Sequence, residues 1–294
     1  MLPAADSKRI ERRRALGGGH EGAVTVREKV REYIDTVFTR LLTPGFIPGL
    51  LRRRLPDVAS QCAVCRSWPA RQVCLPCEAR FAPWQHRCVC CALALPADLS
   101  LGLRSGPGLC AACVRQPPPL DSTLAAVPYA YPWSTLITRY KFGEQHGWAG
   151  FFAALLLKTP GVPQAFDSLS TQDWVLPVPL SAQRLQTRGF NQAWELASAL
   201  TRQSQTAGRA DARLLLRVKH TRPQSQLKRE ARLANVKGAF QVDPLRVAEL
   251  QGRRVLLVDD VMTSGASLFT VARALRDAGA AQVTAVVLAR TAAA

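Results

Sequence analysis

The stretch VLLVDDVMTSGAS, residues 255–267, decides how the C-terminal half of this chain folds. Residues 255–258 form an apolar run of the length of a buried parallel strand, and residues 267–278 have a helical apolar spacing that ends at Gly279. The pattern predicts a strand, a loop and a helix. At the carboxyl end of such a strand, loop N–H groups and the helix N-terminus form an anion site.

Two adjacent carboxylates and several hydroxyl groups surround this predicted loop. Like charges repel, so the acid pair requires an offsetting partner, such as the neighbouring hydroxyls of a sugar or a Mg²⁺ ion that also bridges phosphate oxygens. A glycine between the hydroxyl residues lets the backbone approach a phosphate closely. The stretch therefore predicts a sugar-phosphate site made of Asp259, Asp260, Thr263, Ser264, Gly265 and Ser267.

Three other interpretations compete for the same stretch. It has the form of the Walker B strand of a nucleotide hydrolase, but the chain contains no G-x-x-x-x-G-K-[ST] loop to accompany it. An acidic pocket of the receiver type and a purely structural turn are the remaining alternatives.

From about residue 121 onward, apolar strand-like runs alternate with helical stretches. This alternation predicts an α/β domain with a mostly parallel sheet flanked by helices. The predicted strands are 124–130, 174–178, 255–258 and 283–288, and the predicted helices are 148–158, 192–203 and 267–278.

All nine cysteines lie in residues 62–113, and eight of them form four CxxC pairs. A CxxC turn brings two thiolates to one cation, so two such turns complete a tetrahedral zinc site. Disulfides and thioredoxin-like redox chemistry are the alternatives; the first requires an oxidising compartment and the second does not call for four pairs. The predicted structural zinc ligands are Cys62, Cys65, Cys74, Cys77, Cys88, Cys91, Cys110 and Cys113, while Cys90 is left over.

The way in which these pairs combine is open on the sequence alone. Sequential pairing joins the first pair to the second and the third to the fourth, whereas interleaving joins alternate pairs. We favour sequential pairing and expect one or two zinc ions, most simply two. Zinc ligation would hold this zinc-ribbon-like module together, because it has few large apolar residues with which to build a core.

The chain carries 39 Lys and Arg against 21 Asp and Glu, a formal charge of +18. Such a charge favours polyanions such as nucleic acid or phosphorylated metabolites, although a solvated basic surface is the simpler alternative. Residues 213–237 are the most basic part, with eight Lys or Arg and a single acid.

Composition divides the chain into four predicted parts. These are a disordered basic extension (1–24), an amphipathic helical segment (25–56), the cysteine module (57–119) and the α/β domain (120–294), with the proline-rich QPPPL at the last boundary. No apolar run approaches the roughly 18 residues of a spanning helix, and no signal peptide is evident, so we expect a cytoplasmic protein.

Residues 255–267 resemble the phosphoribosyl diphosphate (PRPP) motif of type I phosphoribosyltransferases. The resemblance implies that Asp259 and Asp260 contact the ribose 2′ and 3′ hydroxyls, that the Thr263 to Ser267 loop wraps the 5′-phosphate, and that Mg²⁺ accompanies PRPP.

Upstream, Pro177-Val178-Pro179, the RGFNQ stretch at 188–192 and the segment HTRPQSQLKREARLANVKGAF at 220–240 extend the resemblance. Together with the cysteine module, they resemble the ComF family of competence-associated proteins over about residues 60–290. That family joins a zinc-ribbon-like N-terminus to a phosphoribosyltransferase-type domain.

Arg184 and Arg188 follow a predicted strand, and we expect both in a loop where guanidinium groups could hold a diphosphate; surface exposure is the alternative. Gly189 suits a tight turn and Asn191 a helix cap. Lys141 is a further basic residue predicted near the pocket. The expected catalytic residues are Asp259, Asp260 and Arg188, with Arg184 and Lys141 added for PRPP binding.

Two functions are compatible with this pattern. The first is a phosphoribosyltransferase that binds PRPP or a related ribose phosphate and transfers the phosphoribosyl group to an unknown acceptor during DNA uptake. The second is a non-catalytic accessory protein that binds single-stranded DNA and other competence proteins. The basic segment serves either as a hood over the active site or as a DNA track, through Arg222, Lys228, Arg229 and Arg232.

Overall fold

The computed structural model of the chain describes residues 60–68, 70–96, 108–142, 147–219 and 238–292. The predictions for residues 1–24 and 25–56 lie outside this range. So do the candidate DNA-contacting residues Arg222, Lys228, Arg229 and Arg232.

A five-stranded parallel sheet forms the centre of the larger domain. Its strand order is β1-β7-β6-β2-β3, and every neighbouring pair is parallel, which confirms the predicted sheet. A separate antiparallel pair, β4 and β5, flanks residues 220–237. The strands are β1 (Ser122–Pro128), β2 (Trp174–Pro177), β3 (Arg209–Ala210), β4 (Leu215–Arg217), β5 (Phe240–Val242), β6 (Arg254–Met262) and β7 (Gln282–Arg290).

Helices connect and cover these strands. The three predicted helices correspond to α4, α7 and α8, with ends that differ from the prediction by one residue. Helices α3, α5 and α6 of the α/β domain were not predicted. The helices are α1 (Leu75–Phe81), α2 (Ala111–Arg115), α3 (Trp133–Phe142), α4 (Trp148–Leu157), α5 (Val162–Asp167), α6 (Ala182–Arg188), α7 (Gln192–Ser204) and α8 (Ala266–Asp277), with a 3₁₀ turn at Val247–Leu250.

Strand β6 separates two hydrophobic cores, because successive side chains of a strand point to opposite faces. Val255 and Leu257 pack in the core that includes the apolar face of α8. Leu256 and Val258 pack in the other core, with the buried side chains of α4 and α7. Both faces of the sheet are therefore covered, as parallel sheets require.

The predicted end of β6 at residue 258 is wrong, since the strand continues to Met262. Strand β7 runs beside it over this extra length and pairs Asp259 with Val287 and Val261 with Ala289. The two acids consequently lie within the strand and are held by its ladder, rather than in the loop that follows.

The cysteine module packs directly on the α/β domain. The indole Nε1 of Trp133 donates to the Phe81 carbonyl at 2.7 Å, and the Thr123 backbone N–H donates to the Val89 carbonyl at 2.7 Å. The second contact satisfies part of the outer edge of β1, which would otherwise be an unpaired edge strand. In the part of the chain that the structure describes, every helix is too short or too polar to cross a membrane.

Candidate functional site

A crevice is expected where the connections of the sheet diverge. Strand β2 leads to β3 on one side, whereas β6 leads to β7 on the other, so the order reverses between β2 and β6. Open α/β sheets bind ligands outside the carboxyl ends of the strands at such a point. Strand β2 ends at Pro177, which pairs with Val258, and β6 extends beyond it. The acid pair lies on this extension.

Each acid has a defined partner. The Nζ of Lys141 lies 3.0 Å from the Asp260 Oδ2, and the Asp260 side chain is only 11% exposed. The Asp260 backbone N–H donates to the Asp259 Oδ1 at 2.9 Å. The structure thus brings together Lys141 at the end of α3 and the acid pair on β6, which are distant in sequence.

Burial, reinforced by the neighbouring Asp260 carboxylate, raises the pKa of Asp259 to about 7. Lys141 and Arg188 act in the opposite direction and favour ionisation. Two carboxylates in a partly closed site attract a further cation or the hydroxyl donors of a sugar.

Arg184 and Arg188 lie on helix α6, and the expectation that they occupy a loop is wrong. Ser181 caps this helix by accepting from the Arg184 backbone N–H at 3.4 Å, and Gly189 ends it with a positive φ of 78°. Sequence reasoning missed the helix because its seven residues follow Pro179 and leave no buried apolar face.

The two guanidinium groups differ in what surrounds them. Burial lowers the pKa of Arg188, while the charges of Asp260 and Asp259 act in the opposite direction. Burial, followed by repulsion from Arg188, lowers the pKa of Arg184. Arg188 therefore shares one electrostatic environment with the two acids, and Arg184 is close enough to Arg188 to be repelled by it.

Two side chains contact Arg188, those of Gln192 and Phe142, and a third residue, Tyr140, contacts Gln192; sequence reasoning gave none of the three a role in the site. Its Nη1 donates to the Gln192 Oε1 at 3.0 Å, and its guanidinium lies 4.9 Å from the centre of the Phe142 ring. The Tyr140 hydroxyl donates to the Gln192 carbonyl at 2.8 Å. Tyr140 and Phe142 are the sequence neighbours of Lys141, which was predicted near the pocket, and this adjacency could have indicated that they lie near the site.

The predicted phosphate loop connects β6 to α8. Gly265 is the N-cap of α8 with a φ of 81°. A Cβ at this position would lie 2.5 Å from the Phe269 Cζ and 2.7 Å from the Met262 Cε. A side chain here would therefore have to displace the ends of Phe269 and Met262 in addition to adopting a left-handed backbone conformation, and the sequence could not reveal the first of these costs. Thr263, Ser264 and Ser267 are partly exposed around it.

The eight paired cysteines form two groups in sequential order. In each group the four sulfur atoms lie within 4.8 Å of one another. We call Cys62, Cys65, Cys74 and Cys77 the first cysteine group, and Cys88, Cys91, Cys110 and Cys113 the second cysteine group.

The spacing of the sulfurs suits a tetrahedral zinc ion. The Sγ atoms of Cys65 and Cys74 are 3.6 Å apart, and those of Cys91 and Cys110 are 3.7 Å apart. A zinc ion with Zn–S bonds of about 2.3 Å gives tetrahedral S–S separations of about 3.8 Å, whereas a disulfide needs about 2.05 Å. All nine cysteines are free thiols.

The acidity of the thiols is unequal within the first cysteine group. Hydrogen bonds from Ser67 lower the pKa of Cys65 to about 6, whereas burial and the Cys74 thiol raise the pKa of Cys77 to about 12. The Val64 and Cys74 backbone N–H groups donate to the Cys62 Sγ at 3.5 and 3.4 Å. A divalent cation suits this set, because it compensates the charge of thiolates that would otherwise repel one another.

The parallel sheet, its diverging strands and the acid pair beside a glycine loop define a phosphoribosyltransferase-type domain. Residues 187–294 match the family model described as the phosphoribosyl transferase domain. The chain is 33% identical over 210 residues to the DNA utilization protein YhgH of Salmonella typhi, covering 69% of this chain and 90% of that protein. The chain belongs to the ComF family.

Two further relatives carry competence names. The chain is 34% identical over 174 residues to competence protein F of Haemophilus influenzae, covering 59% of this chain and 75% of that protein. It is 32% identical over 107 residues to competence protein ComFC of Bacillus subtilis, covering 36% of this chain and 40% of that protein.

Proposed function

We propose that this protein binds PRPP, or a related ribose phosphate, with Mg²⁺ in the crevice between β2 and β6. The ribose hydroxyls would contact Asp259 and Asp260, and the 5′-phosphate would lie on residues 263–267 at the N-terminus of α8. A helix N-terminus with free loop N–H groups favours a phosphate, and a carboxylate pair favours a vicinal diol.

The observation that carries this proposal is the arrangement of charge around the acid pair. Asp259 and Asp260 lie on the last part of β6, Lys141 contacts Asp260, and Arg188 lies in the same electrostatic environment. A ligand with a diol at one end and several phosphate oxygens nearby complements both signs of charge.

Mg²⁺ fits the oxygen donors of Asp259 and Asp260, since carboxylate oxygens and phosphates are its preferred ligands. When bound, the ion neutralises the diphosphate and so helps it to depart. When the ribose hydroxyls donate to the Asp260 carboxylate, Lys141 would leave Asp260 and contact a phosphate oxygen of the ligand.

The reaction that this arrangement favours is phosphoribosyl transfer. The bond between the ribose anomeric carbon and the diphosphate oxygen breaks, its electron pair leaves with pyrophosphate, and a nucleophile forms the new bond to carbon. The acid pair stabilises the positive charge that develops on the ribose, and Arg188 and Arg184 stabilise the leaving pyrophosphate.

Calorimetric titration of the full chain with PRPP in MgCl₂ tests the proposal. We expect binding that requires added MgCl₂ and falls at least about 100-fold when Asp259 and Asp260 are both changed to Asn, because two ligand contacts are lost. Asp277→Asn, at the exposed far end of α8, is the matched control and should bind normally. Unchanged binding by the double variant would reject the site.

We further propose that each cysteine group holds one structural zinc ion. Metal analysis of protein purified under reducing conditions should give about two zinc ions per chain. Folded protein with no zinc, and with eight titratable free thiols, would contradict this.

The names of the relatives support a role in DNA uptake or utilization, and a second candidate function follows from the surface of the cysteine module. Trp84 is 62% exposed with its ring centre 4.1 Å from that of His86, and Trp68 is 66% exposed. Exposed aromatic rings on a chain with a formal charge of +18 suit stacking with the bases of single-stranded DNA. We propose this binding as the alternative, non-catalytic role.

A gel-shift series with single-stranded DNA separates the two functions. Under the alternative, binding should weaken steeply with salt, and more than about fivefold in Trp84→Ala, since stacking contributes about 1–3 kcal/mol per base. Neutral substitutions at Lys228, Arg229 and Arg232 should weaken it further. DNA binding that survives all these changes would contradict the alternative.

A further inference from the structure

One arginine at the end of the central sheet contacts both the cysteine module and the predicted phosphate loop. The Arg290 side chain is buried, with 8% of the residue exposed. Its Nε donates to the Cys91 carbonyl at 2.8 Å. Its Nη1 lies 2.5 Å from the Thr263 carbonyl oxygen and 3.3 Å from that of Met262. The same nitrogen also contacts the Thr291 carbonyl and hydroxyl oxygens.

The fold explains how Arg290 reaches these groups. It is the last residue of β7, where it pairs with Met262 at the end of β6. Burying a guanidinium is costly unless its donors find acceptors, and here backbone carbonyls from three separate segments accept from its Nε and Nη1. The cost of burying a charge at the end of a hydrophobic strand points to a role beyond filling space.

The contacts to the loop control the direction of its N–H groups. In a trans peptide the carbonyl of one residue and the N–H of the next point in opposite directions. Because Arg290 engages the carbonyls of Met262 and Thr263, the N–H groups of Thr263 and Ser264 are directed away from it. An anion on the phosphate loop would be bound through such N–H groups.

The Nε of Arg290 contacts the backbone carbonyl of a predicted metal ligand, Cys91. Cys91 belongs to the second cysteine group, and its Sγ lies 3.7 Å from that of Cys110. The adjacent Ala92 carbonyl accepts from the Arg87 Nη1 at 3.0 Å, so the backbone of this turn is held from two sides. The conformation of the turn and that of the phosphate loop therefore depend on the same guanidinium.

We propose that Arg290 is a positioning residue that couples metal binding by the second cysteine group to ribose-phosphate binding by residues 263–267. This inference rests on the proposed function and adds a regulatory link to the same site. Loss of metal from the second cysteine group would allow the Cys91 carbonyl to move, and the Arg290 guanidinium would lose a fixed acceptor. The carbonyls of Met262 and Thr263 would then be held less firmly, and residues 263–267 would bind a ribose phosphate less tightly. Coupling between two sites is reciprocal, so PRPP would also retain the metal in the second cysteine group.

Two substitutions and one matched control test this coupling. Arg290→Met removes all the donors and keeps an unbranched chain, and Arg290→Lys keeps the charge but not the planar set of donors. Arg276→Met is the control, because Arg276 also donates to two main-chain carbonyls, those of Ala280 and Ala281, but at the far end of α8. All three are measured in the full chain loaded with zinc.

The first measurement is the release of zinc to a chromogenic chelator, with and without PRPP and Mg²⁺. In the unchanged protein and in Arg276→Met, we expect PRPP to slow the release of one zinc ion by about tenfold and to leave the other unaffected. In Arg290→Met the two release rates should no longer depend on PRPP, and Arg290→Lys should retain only part of the effect. A PRPP effect of the same size in Arg290→Met would overturn the proposal.

The second measurement is amide hydrogen exchange of residues 263–267 without PRPP. We expect faster exchange in Arg290→Met and, to a similar extent, in Cys91→Ser, but not in Cys65→Ser of the first cysteine group. Exchange that is unchanged in both, or changed equally by Cys65→Ser, would overturn the coupling. If the unchanged protein fails to bind PRPP, the proposed function fails, while hydrogen exchange still decides the coupling. If Arg290→Met does not fold, Arg290→Lys and Cys91→Ser supply the same comparison.

Discussion

The two cysteine groups share a sequence motif but occupy different environments. In the first cysteine group Cys65 is exposed and Cys74 is half-buried, while Cys62 and Cys77 are buried in the core that includes α3 and α4. In the second cysteine group all four cysteines are buried and pack in the core that includes α8. Identical CxxC turns can therefore form a partly exposed group in one place and a fully buried group in another.

The largest effect should come from removing ligands from one group at a time. We expect Cys91→Ser with Cys113→Ser to lose one zinc ion and on the order of 5 kcal/mol or more of unfolding free energy, since zinc ligation contributes about 10 kcal/mol or more in small domains. Cys65→Ser with Cys74→Ser should also lose one zinc ion but less stability, because these two cysteines are the less buried members of their group. Urea unfolding and metal analysis measure both.

Cys90→Ser serves as the control for thiol loss, since Cys90 lies outside both groups and should change stability by less than about 1 kcal/mol. Equal destabilisation by the two double variants would show that the difference in burial has no energetic consequence.

The next effect concerns two glycines with similar backbone conformations near the crevice. Gly265 and Gly189 have φ values of 81° and 78°. A Cβ at Gly265 would crowd Phe269 and Met262, whereas nothing lies within 4 Å at Gly189. We expect Gly265→Ala to cost about 3 kcal/mol and Gly189→Ala about 1 kcal/mol in urea unfolding. Similar losses would mean that backbone conformation alone matters, and would weaken the link between the loop and its packing.

A smaller effect should appear as a pH dependence confined to the crevice. Burial and Asp260 raise the pKa of Asp259 from an ordinary value of 3.8 to about 7. The folded chain therefore binds the extra proton between these values, and its unfolding free energy falls as the pH rises through this window. Asp259→Asn has no carboxyl group to titrate, so its unfolding free energy should not fall in this way. The unfolding free energy of Asp259→Asn minus that of the unchanged protein should therefore increase by about 2 kcal/mol from pH 5 to pH 8.

Unfolding curves at both pH values measure this gain, with Asp277→Asn as an exposed control that should show none. A stability difference that is constant with pH would contradict the buried, mutually repelling acid pair.

The smallest effect concerns the attachment of the first cysteine group. Trp133→Phe keeps an aromatic ring but leaves the Phe81 carbonyl without the indole N–H donor. We expect a loss of about 1–2 kcal/mol in urea unfolding and no change in PRPP affinity. A fall in PRPP affinity would show that the first cysteine group is also coupled to the crevice, and the contrast between the two groups would fail.

Sequence reasoning predicted the fold well where apolar periodicity is strong. The long helices and the strands around β6 follow from this periodicity, and the spacing of the CxxC pairs favoured the sequential grouping that the structure contains. It failed on α6, which buries no side chain, and on the last residues of β6, where acids continue a strand that hydrophobicity alone would end. There the ladder with β7 decides the conformation.

The sequence by itself determined the chemistry of this protein: paired thiols, an acid pair beside a glycine loop, and a basic charge. These are properties of residue types at short spacing, so they can be identified from the sequence alone. Only the tertiary structure decided which groups meet. Lys141 reaches Asp260 and Arg290 joins Cys91 to Thr263, because strand order brings distant segments to one edge of the sheet. Contacts of that kind depend on topology, and no local pattern encodes them.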